Sequence, residues 1–226
     1  MSITERLSQV QSRLRAAELA AGREPGSVRL IAVSKLHPAA AIREAYDAGQ
    51  RDFGENYLQE LGEKVEALAD LPGIVWHLIG NIQTNKAKLA ARLAHVVHTV
   101  DDVSIAKELG KRVATLGRTL PVLVEVNVGG ETQKHGATPS DLADVIAAVV
   151  AQPSLALRGL MTVPPHTDDP AGARPFFSTL RTLRNAHGGA AVLPELSMGM
   201  SDDLEAAVAE GATMVRIGTA IFGPRA

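Results

Sequence analysis

"LIAVSKLHPAAAI", residues 30–42, runs from a short apolar stretch into a cation and then into a helical pattern. Leu30, Ile31, Ala32 and Val33 show none of the polar alternation of a half-exposed strand. An unbroken apolar run of this length is expected of a strand covered on both faces in a parallel sheet. Ser34 and Lys35 end the run, and Pro38 opens the helix. The turn between them contains no glycine. A doubly wound open sheet often carries a glycine-rich turn at this point. Its absence favours the other parallel architecture, the closed barrel, and leaves the open sheet as runner-up.

The same alternation continues along the chain. Strand candidates are Arg29–Val33, Arg51–Gly54, Ile74–Ile79, Val96–Thr99, Pro121–Asn127, Ala156–Met161, Glu195–Met198 and Thr213–Gly218. "PVLVEV" and "MVRIG" repeat the unbroken pattern of "LIAV". The seventh strand, "ELSM", has the weakest signal. Amphipathic segments at Ala39–Ala48, Leu58–Ala69, Asn85–Leu93, Val103–Leu116, Ser140–Ala151, Ala171–His187 and Asp203–Glu210 separate the strands. Eight strands alternating with helices predict a single (β/α)8 TIM barrel over residues 1–226. The polar amphipathic segment "MSITERLSQVQSRLRAAELAAG" adds a helix before the first strand. "MTVPPHTDDPAGARP", residues 161–175, reads as one long loop after strand six rather than as a domain boundary.

Composition excludes several classes of function. The formal net charge is -2, with 23 Lys and Arg against 25 Asp and Glu, which leaves no electrostatic footprint for nucleic acid. Aromatic residues are only 3% of the chain, too few for base-stacking platforms. There is no cysteine, so disulfides, thiolate catalysis and Cys-ligated metals are out. No apolar run approaches the ~20 residues of a membrane span, and the N-terminus lacks the apolar centre of a signal peptide. A cytoplasmic protein is expected.

In a barrel the chemistry gathers at the carboxyl ends of the strands. Strand one ends in Ser34 and Lys35, and strand two in Glu55, Asn56 and Tyr57. Strand three carries His77, strand five Glu125, and strand seven ends in "SMGMS". Strand eight carries Arg216 and ends in Gly218 and Thr219. Polar groups therefore collect at one mouth. Lys35 has two readings on position alone. It is a lysine that snorkels to solvent, or a desolvated amine of lowered pKa that forms a Schiff base with a carbonyl. Arg216 is either a buried arginine paired with a carboxylate such as Glu125, or a fixed cation aimed into the site. "LSMGMSDDLEAA" holds a helix cap, as Asp202 with Glu205 or as Ser201. Together with "RIGTAIFG" it also forms the paired loops after strands seven and eight that often bind phosphate in this fold. His77 and His166 are candidate metal ligands, but satisfied or solvent-facing histidines are the better reading. His95 and His98 lie on opposite faces of a strand. No cluster has metal spacing. Asp101–Asp102 and Asp168–Asp169 read as loop and cap residues.

"IAVSK", "FGENYLQE", "WHLIGNIQTNK", "GLMTVPP" and "LSMGMSDDLEAAVAEGATMVRIGTAIFG" resemble the pyridoxal 5′-phosphate homeostasis protein family (YggS/PROSC family) from about residue 3 to residue 224. The resemblance implies the barrel of the alanine racemase N-terminal domain, fold type III among pyridoxal phosphate (PLP) proteins. It makes Lys35 the lysine that holds PLP as a Schiff base and places Asn56 beside the cofactor. It assigns the phosphate to Ser197, Gly218 and Thr219, with Ser201 as a further contact, and sets Arg216 against the pyridine nitrogen. Leu36 and His37 stand where the family often has a second basic or polar residue, and Ile82 replaces a leucine. Neither change touches those contacts. The implied function is intracellular PLP homeostasis, by storage, buffering or delivery, with effects on amino-acid and keto-acid balance. Apo PLP-dependent enzymes are possible recipients, and a monomer is expected. The alternative is a PLP-dependent amino-acid racemase. That needs an acid–base group on each face of the substrate Cα, and the opposing tyrosine of such racemases comes from a C-terminal β-domain for which the chain has no room. Of the two tyrosines, only Tyr57 is placed to substitute. A cofactor-free Schiff-base aldolase fits Lys35 but leaves the phosphate loops unexplained.

Overall fold

A computed structural model describes residues 1–131, 133–165, 167 and 169–224. Eight parallel strands close into a barrel in sequence order, β1 Arg29–Val33, β2 Asp52–Glu55, β3 Val75–Leu78, β4 Val96–Val100, β5 Leu120–Glu125, β6 Leu155–Met161, β7 Glu195–Ser197 and β8 Met214–Ile217. β8 pairs with β1 over four residues and completes the closure. The expected strands are all present, with ends moved by one or two residues, and the open sheet is not found. Among the described residues no helix is long and apolar enough to cross a membrane.

The outer ring comprises α2 Ala39–Asp47, α3 Leu58–Ala67, α4 Ala87–Leu93, α5 Val103–Ala114, α6 Leu142–Val150, α7 Arg174–Ala186, α8 Gly189–Val192, α9 Leu204–Ala209 and α10 Thr219–Phe222. α1, Ile3–Ala20, precedes the barrel. Two details differ from the sequence reading. The expected helix over 171–187 is a 3-10 turn, Pro170–Ala173, followed by α7, because Pro175 near the helix start and the carboxylate of Asp169 capping Ala171 break the run. The short helices α8 and α10 fall where only a loop and a tail were expected, since four residues carry too little periodicity to read.

α1 is fastened to both ends of the chain's barrel. Its start is a capping box between Ser2 and Glu5, and Glu44 of α2 accepts the Ile3 N–H at 2.8 Å. Arg6 donates from Nε to the Ile221 carbonyl at 2.6 Å in α10. Buried Glu18 accepts the N–H groups of Gly26 and Val28, at 2.8 and 2.7 Å, and so shapes the entry into β1. Leu7, Val10 and Leu14 face inward at helical spacing and join the main apolar core between barrel and helices.

β6 and β7 pair with Gly159 in register with Glu195. A Cβ at 159 would sit on the Glu195 carbonyl oxygen. The apolar run of β6 contains a glycine for this reason. Gly159→Ala is expected to lower unfolding free energy by about 3 kcal/mol, measured by urea denaturation.

Candidate functional site

Strand alternation decides which side chains enter the barrel. In β8, Val215 and Ile217 join the outer apolar core, so Met214 and Arg216 point inward. Above them the carboxyl ends of β1, β2, β3, β6, β7 and β8 surround a cleft of about 620 Å³. Lys35, Asn56, Ser201, Arg216, Gly218 and Thr219 line it. Six of the seven residues expected to bind a ligand therefore share one cavity of the size used for small cofactors.

Lys35 is half-buried in the turn after β1. A charged cluster from β2 and α3 holds the backbone on either side of it. Buried Lys64 donates its three protons to the Ser34 carbonyl at 2.7 Å, Glu55 Oε1 at 2.6 Å and Glu60 Oε1 at 2.6 Å. The Ser34 hydroxyl also donates to Glu55 Oε1, at 2.6 Å, and the Leu36 N–H donates to Glu60 Oε1, at 2.6 Å. Burial pushes the Glu55 carboxyl up, and the bonds from Lys64 and Ser34 oppose that. Leu36 has φ 63°, the left-handed region that a leucine adopts only when its surroundings fix it. The cation at the end of a buried strand thus sits in a strained turn with a fixed main chain. Glu55 is legible as a polar strand end, but Lys64 and Glu60 do not stand out in the sequence; their signal is an i, i+4 pair, common on solvated helix faces.

Asn56 follows β2 directly. Its Oδ1 is buried on the cleft wall and has no hydrogen-bond partner among the described residues. An acceptor left in this state calls for a donor supplied by a ligand. Gly80 lies against the Asn56 main chain so closely that a Cβ there would overlap the Asn56 carbonyl. On the other side of β1, Gly218 lines the cleft between Val33 and Thr219, packed so close to β1 that a Cβ there would come within 3.2 Å of the Val33 carbonyl.

Arg216 is buried. Nη1 donates to Ser197 Oγ at 2.7 Å and Nη2 to the Thr162 carbonyl at 2.8 Å. Burial lowers its pKa to about 10, and the charges of Glu125 and Asp203 oppose the fall. It remains a cation at neutral pH. The two sequence readings of Arg216 are thus both partly met. It is buried and hydrogen-bonded, its direct partners are a hydroxyl and a carbonyl, and it faces the cleft.

Ser197 is fully buried beneath the cleft, where its hydroxyl bonds Arg216 and His98. It is the last residue of β7, and Ser201 in the loop beyond it lines the cavity. One expectation is corrected: the cap expected at Asp202 with Glu205, or at Ser201, is at neither, since Asp203 occupies the cap position of α9 without a side-chain capping bond, and its Oδ1 instead accepts the Met200 N–H of the preceding turn at 2.6 Å. Glu205 is engaged by Arg13 of α1, through Nε at 2.5 Å and Nη2 at 2.6 Å. Arg13 Nη1 also donates to the Ser201 carbonyl, at 2.6 Å, and Arg13 lines the cleft. Nothing local in the sequence connects residue 13 to residue 201.

Among the histidines, His77 and His98 are buried and bonded to each other, and exposed His95 accepts the Trp76 N–H at 2.9 Å. They are satisfied, as expected. His166 and Asp168 lie outside the described residues. Asp102 caps α5 through the Ile105 N–H. No group of three metal-ligating side chains occurs among the described residues. Tyr46 donates to the Pro72 carbonyl on the outer ring, and Tyr57 is exposed at the start of α3; neither lines the cleft.

Comparison with known proteins adds the following. The family described as "Alanine racemase, N-terminal domain" matches residues 6–226. The pyridoxal phosphate homeostasis protein of Pseudomonas aeruginosa is 50% identical, covering 99% of this chain and 96% of that one. The structure of PipY from Synechococcus elongatus with PLP bound superposes with a TM-score of 0.85 at 40% identity, covering 98% of this chain and 100% of that one. Alanine racemase from Corynebacterium glutamicum shares the fold, with a TM-score of 0.69 at 20% identity, over 95% of this chain and 60% of that one.

Two measurements test the site's electrostatics. Lys64→Met leaves the Glu55 carboxyl buried without its cation and is expected to cost about 3–5 kcal/mol of stability, with faster amide exchange at Leu36. The Glu125 pKa is raised by burial and by Asp101, to about 7 from 4.5. The folded state then holds a proton that the unfolded state has lost, so stability falls as pH rises from about 4.5 to about 7. Glu125→Gln should remove that loss: the variant matches wild type at pH 4 and exceeds it at pH 8, by an amount on the order of 3 kcal/mol.

Proposed function

Because this chain belongs to the pyridoxal phosphate homeostasis protein family, we propose that it binds PLP in the cleft at the barrel mouth, holds it on Lys35, and takes part in intracellular PLP homeostasis by storing, buffering or delivering the cofactor. The observation that carries this reading is the convergence, in one cavity, of an amine in a fixed turn, an unpartnered acceptor at Asn56, a buried cation at Arg216 and bare backbone at Gly218. The PLP-bound PipY relative supports it at 40% identity.

PLP supplies an aldehyde, which condenses with a primary amine to a Schiff base with release of one water. Lys35 is the amine. The backbone of Gly218 and Thr219, the Thr219 hydroxyl and Ser201 take the phosphate. Asn56 Oδ1 accepts a hydrogen bond from the ligand. Arg216 faces the ring nitrogen; as a permanent donor it keeps that nitrogen unprotonated and so weakens electron withdrawal by the ring. Ser197 acts on the ligand through Arg216.

We read the role as non-catalytic. Racemisation needs acid–base groups approaching from two sides. Lys35 and His37 come from the same turn, and His37 stacks on Phe222 with ring centroids 5.2 Å apart. The relatives named as homeostasis proteins span full length at 40–50% identity, whereas alanine racemase resembles the chain only at the level of fold. Delivery to apo PLP-dependent enzymes, a monomeric state and a cytoplasmic location belong to the same reading.

Purified protein incubated with PLP should turn yellow, with a visible imine band that Lys35→Ala abolishes. A colourless wild type sinks the proposal. Turnover of any common amino acid in a racemase panel, lost in Lys35→Ala, would replace the carrier by the enzyme.

A further inference from the structure

Five side chains from five strands form an unbroken file through the barrel interior. Asp52 Oδ1 lies 2.8 Å from His77 Nε2, His77 Nδ1 2.9 Å from His98 Nε2, His98 Nδ1 2.9 Å from Ser197 Oγ, and Ser197 Oγ 2.7 Å from Arg216 Nη1. β4 and β7 are not neighbours, so the His98–Ser197 contact crosses the lumen. The file starts at the amino end of β2, where Asp52 is partly exposed and 3.8 Å from Arg29. It ends beneath the cleft.

We propose that Asp52, His77, His98 and Ser197 are positioning residues for Arg216, forming a one-way hydrogen-bond file in which every group donates towards Asp52. The inference rests on the reading of Arg216 as the group facing the ligand ring. Proton counting fixes the direction. Arg216 can only donate, so Ser197 Oγ accepts. The Asp52 carboxylate accepts, so His77 Nε2 carries a proton. With His98 protonated on Nε2 and Ser197 donating to His98 Nδ1, each of the four contacts holds one proton and neither imidazole is charged. The reverse placement puts two donors on Ser197 Oγ, strands its hydroxyl proton within the file, and requires a charged His77 inside the barrel. Burial, His77 and Arg216 together hold the His98 pKa well below the usual histidine range, which agrees with a neutral ring.

The consequence is mechanical. Arg216 has five donors and a long stem with about 2 kcal/mol of rotamer freedom. Ser197 takes one proton of Nη1 and the Thr162 carbonyl one of Nη2, which sets the guanidinium plane. Ser197 is itself a rotor, and only the acceptor at His98 Nδ1 directs its proton away from Arg216. The His98 ring is in turn fixed by His77, and His77 by Asp52. A site group held by a chain of such partners keeps its geometry without the ligand.

The test has an arm that needs no cofactor. In apo protein, 15N NMR of the ring nitrogens should show both His77 and His98 as neutral Nε2–H tautomers. Ser197→Ala should move the His98 Nδ1 resonance, and Ser197→Thr should restore it. In PLP-loaded protein, Ser197→Ala and Asp52→Ala should shift the imine band and speed cofactor release about tenfold, the worth of one hydrogen bond to a charged group. Ser197→Thr should remain near wild type. Circular dichroism identifies any variant that fails to fold, and His98→Gln then replaces it. Nδ1–H tautomers, or unchanged spectrum and release rate in folded, loaded Ser197→Ala, overturn the inference. A wild type that never forms the imine defeats the proposed function instead, while the NMR arm still decides the file.

Discussion

A cation almost wholly enclosed by a closed barrel has little water to solvate it, so the strands around it must supply most of its partners. Arg216 sets this requirement, and much of the interior meets it. Ser197 and Thr162 are inward or main-chain groups on the neighbouring side. Glu125 offsets charge across the mouth, although its own carboxyl is pushed up to about 7 by burial and Asp101. The histidines at inward positions of β3 and β4 exist where a barrel would ordinarily place Val, Ile or Leu. The lumen is therefore divided. An apolar cluster of Val75, Val96, Leu123 and Met161 stands apart from the main core, and a polar file runs beside it to the cleft.

A second charged assembly supports the other side of the site. Lys64 spends all three of its protons on groups that flank the Lys35 turn or anchor it. Buried ion clusters are weak contributors to stability when compared with apolar packing. Their value here is conformational, since they hold Leu36 at a backbone angle that it would otherwise avoid. Both walls of the cleft thus follow one pattern: a ligand-facing cation whose neighbours are fixed by buried hydrogen bonds.

The barrel was legible because it depends on local signals. Unbroken apolar runs such as "LIAV", and helical periodicity between them, survive in a linear reading. The residues that line the cleft were also legible, since strand ends are known once strands are. What stayed hidden depends on pairs far apart in sequence. His98 meets Ser197 across 99 residues, and Arg13 meets Ser201 across 188. The bonds of Ser197 to His98 and Arg216 were hidden for the same reason, since its motif reads as continuous with the loop after β7. The start of α9 at Leu204 differs from the sequence reading because residues 201–203 form a turn ahead of the helix. α8 and α10 were missed because four residues show no period.

The fastening of α1 also bears on the order of assembly. Arg6 bonds to Ile221 over a separation of 215 residues, and β1 closes the barrel only on β8. Contacts of such range form late, after most of the loop entropy has been lost. During synthesis from the N-terminus, the Lys35 turn emerges well before β8, the neighbouring strand whose end brings Arg216, Gly218 and Thr219 to the same cleft. A nascent chain carries Lys35 through the translation of β2 to β7 without that wall. The cleft is complete only once β8 has paired with β1, and that pairing acts as the checkpoint on its assembly.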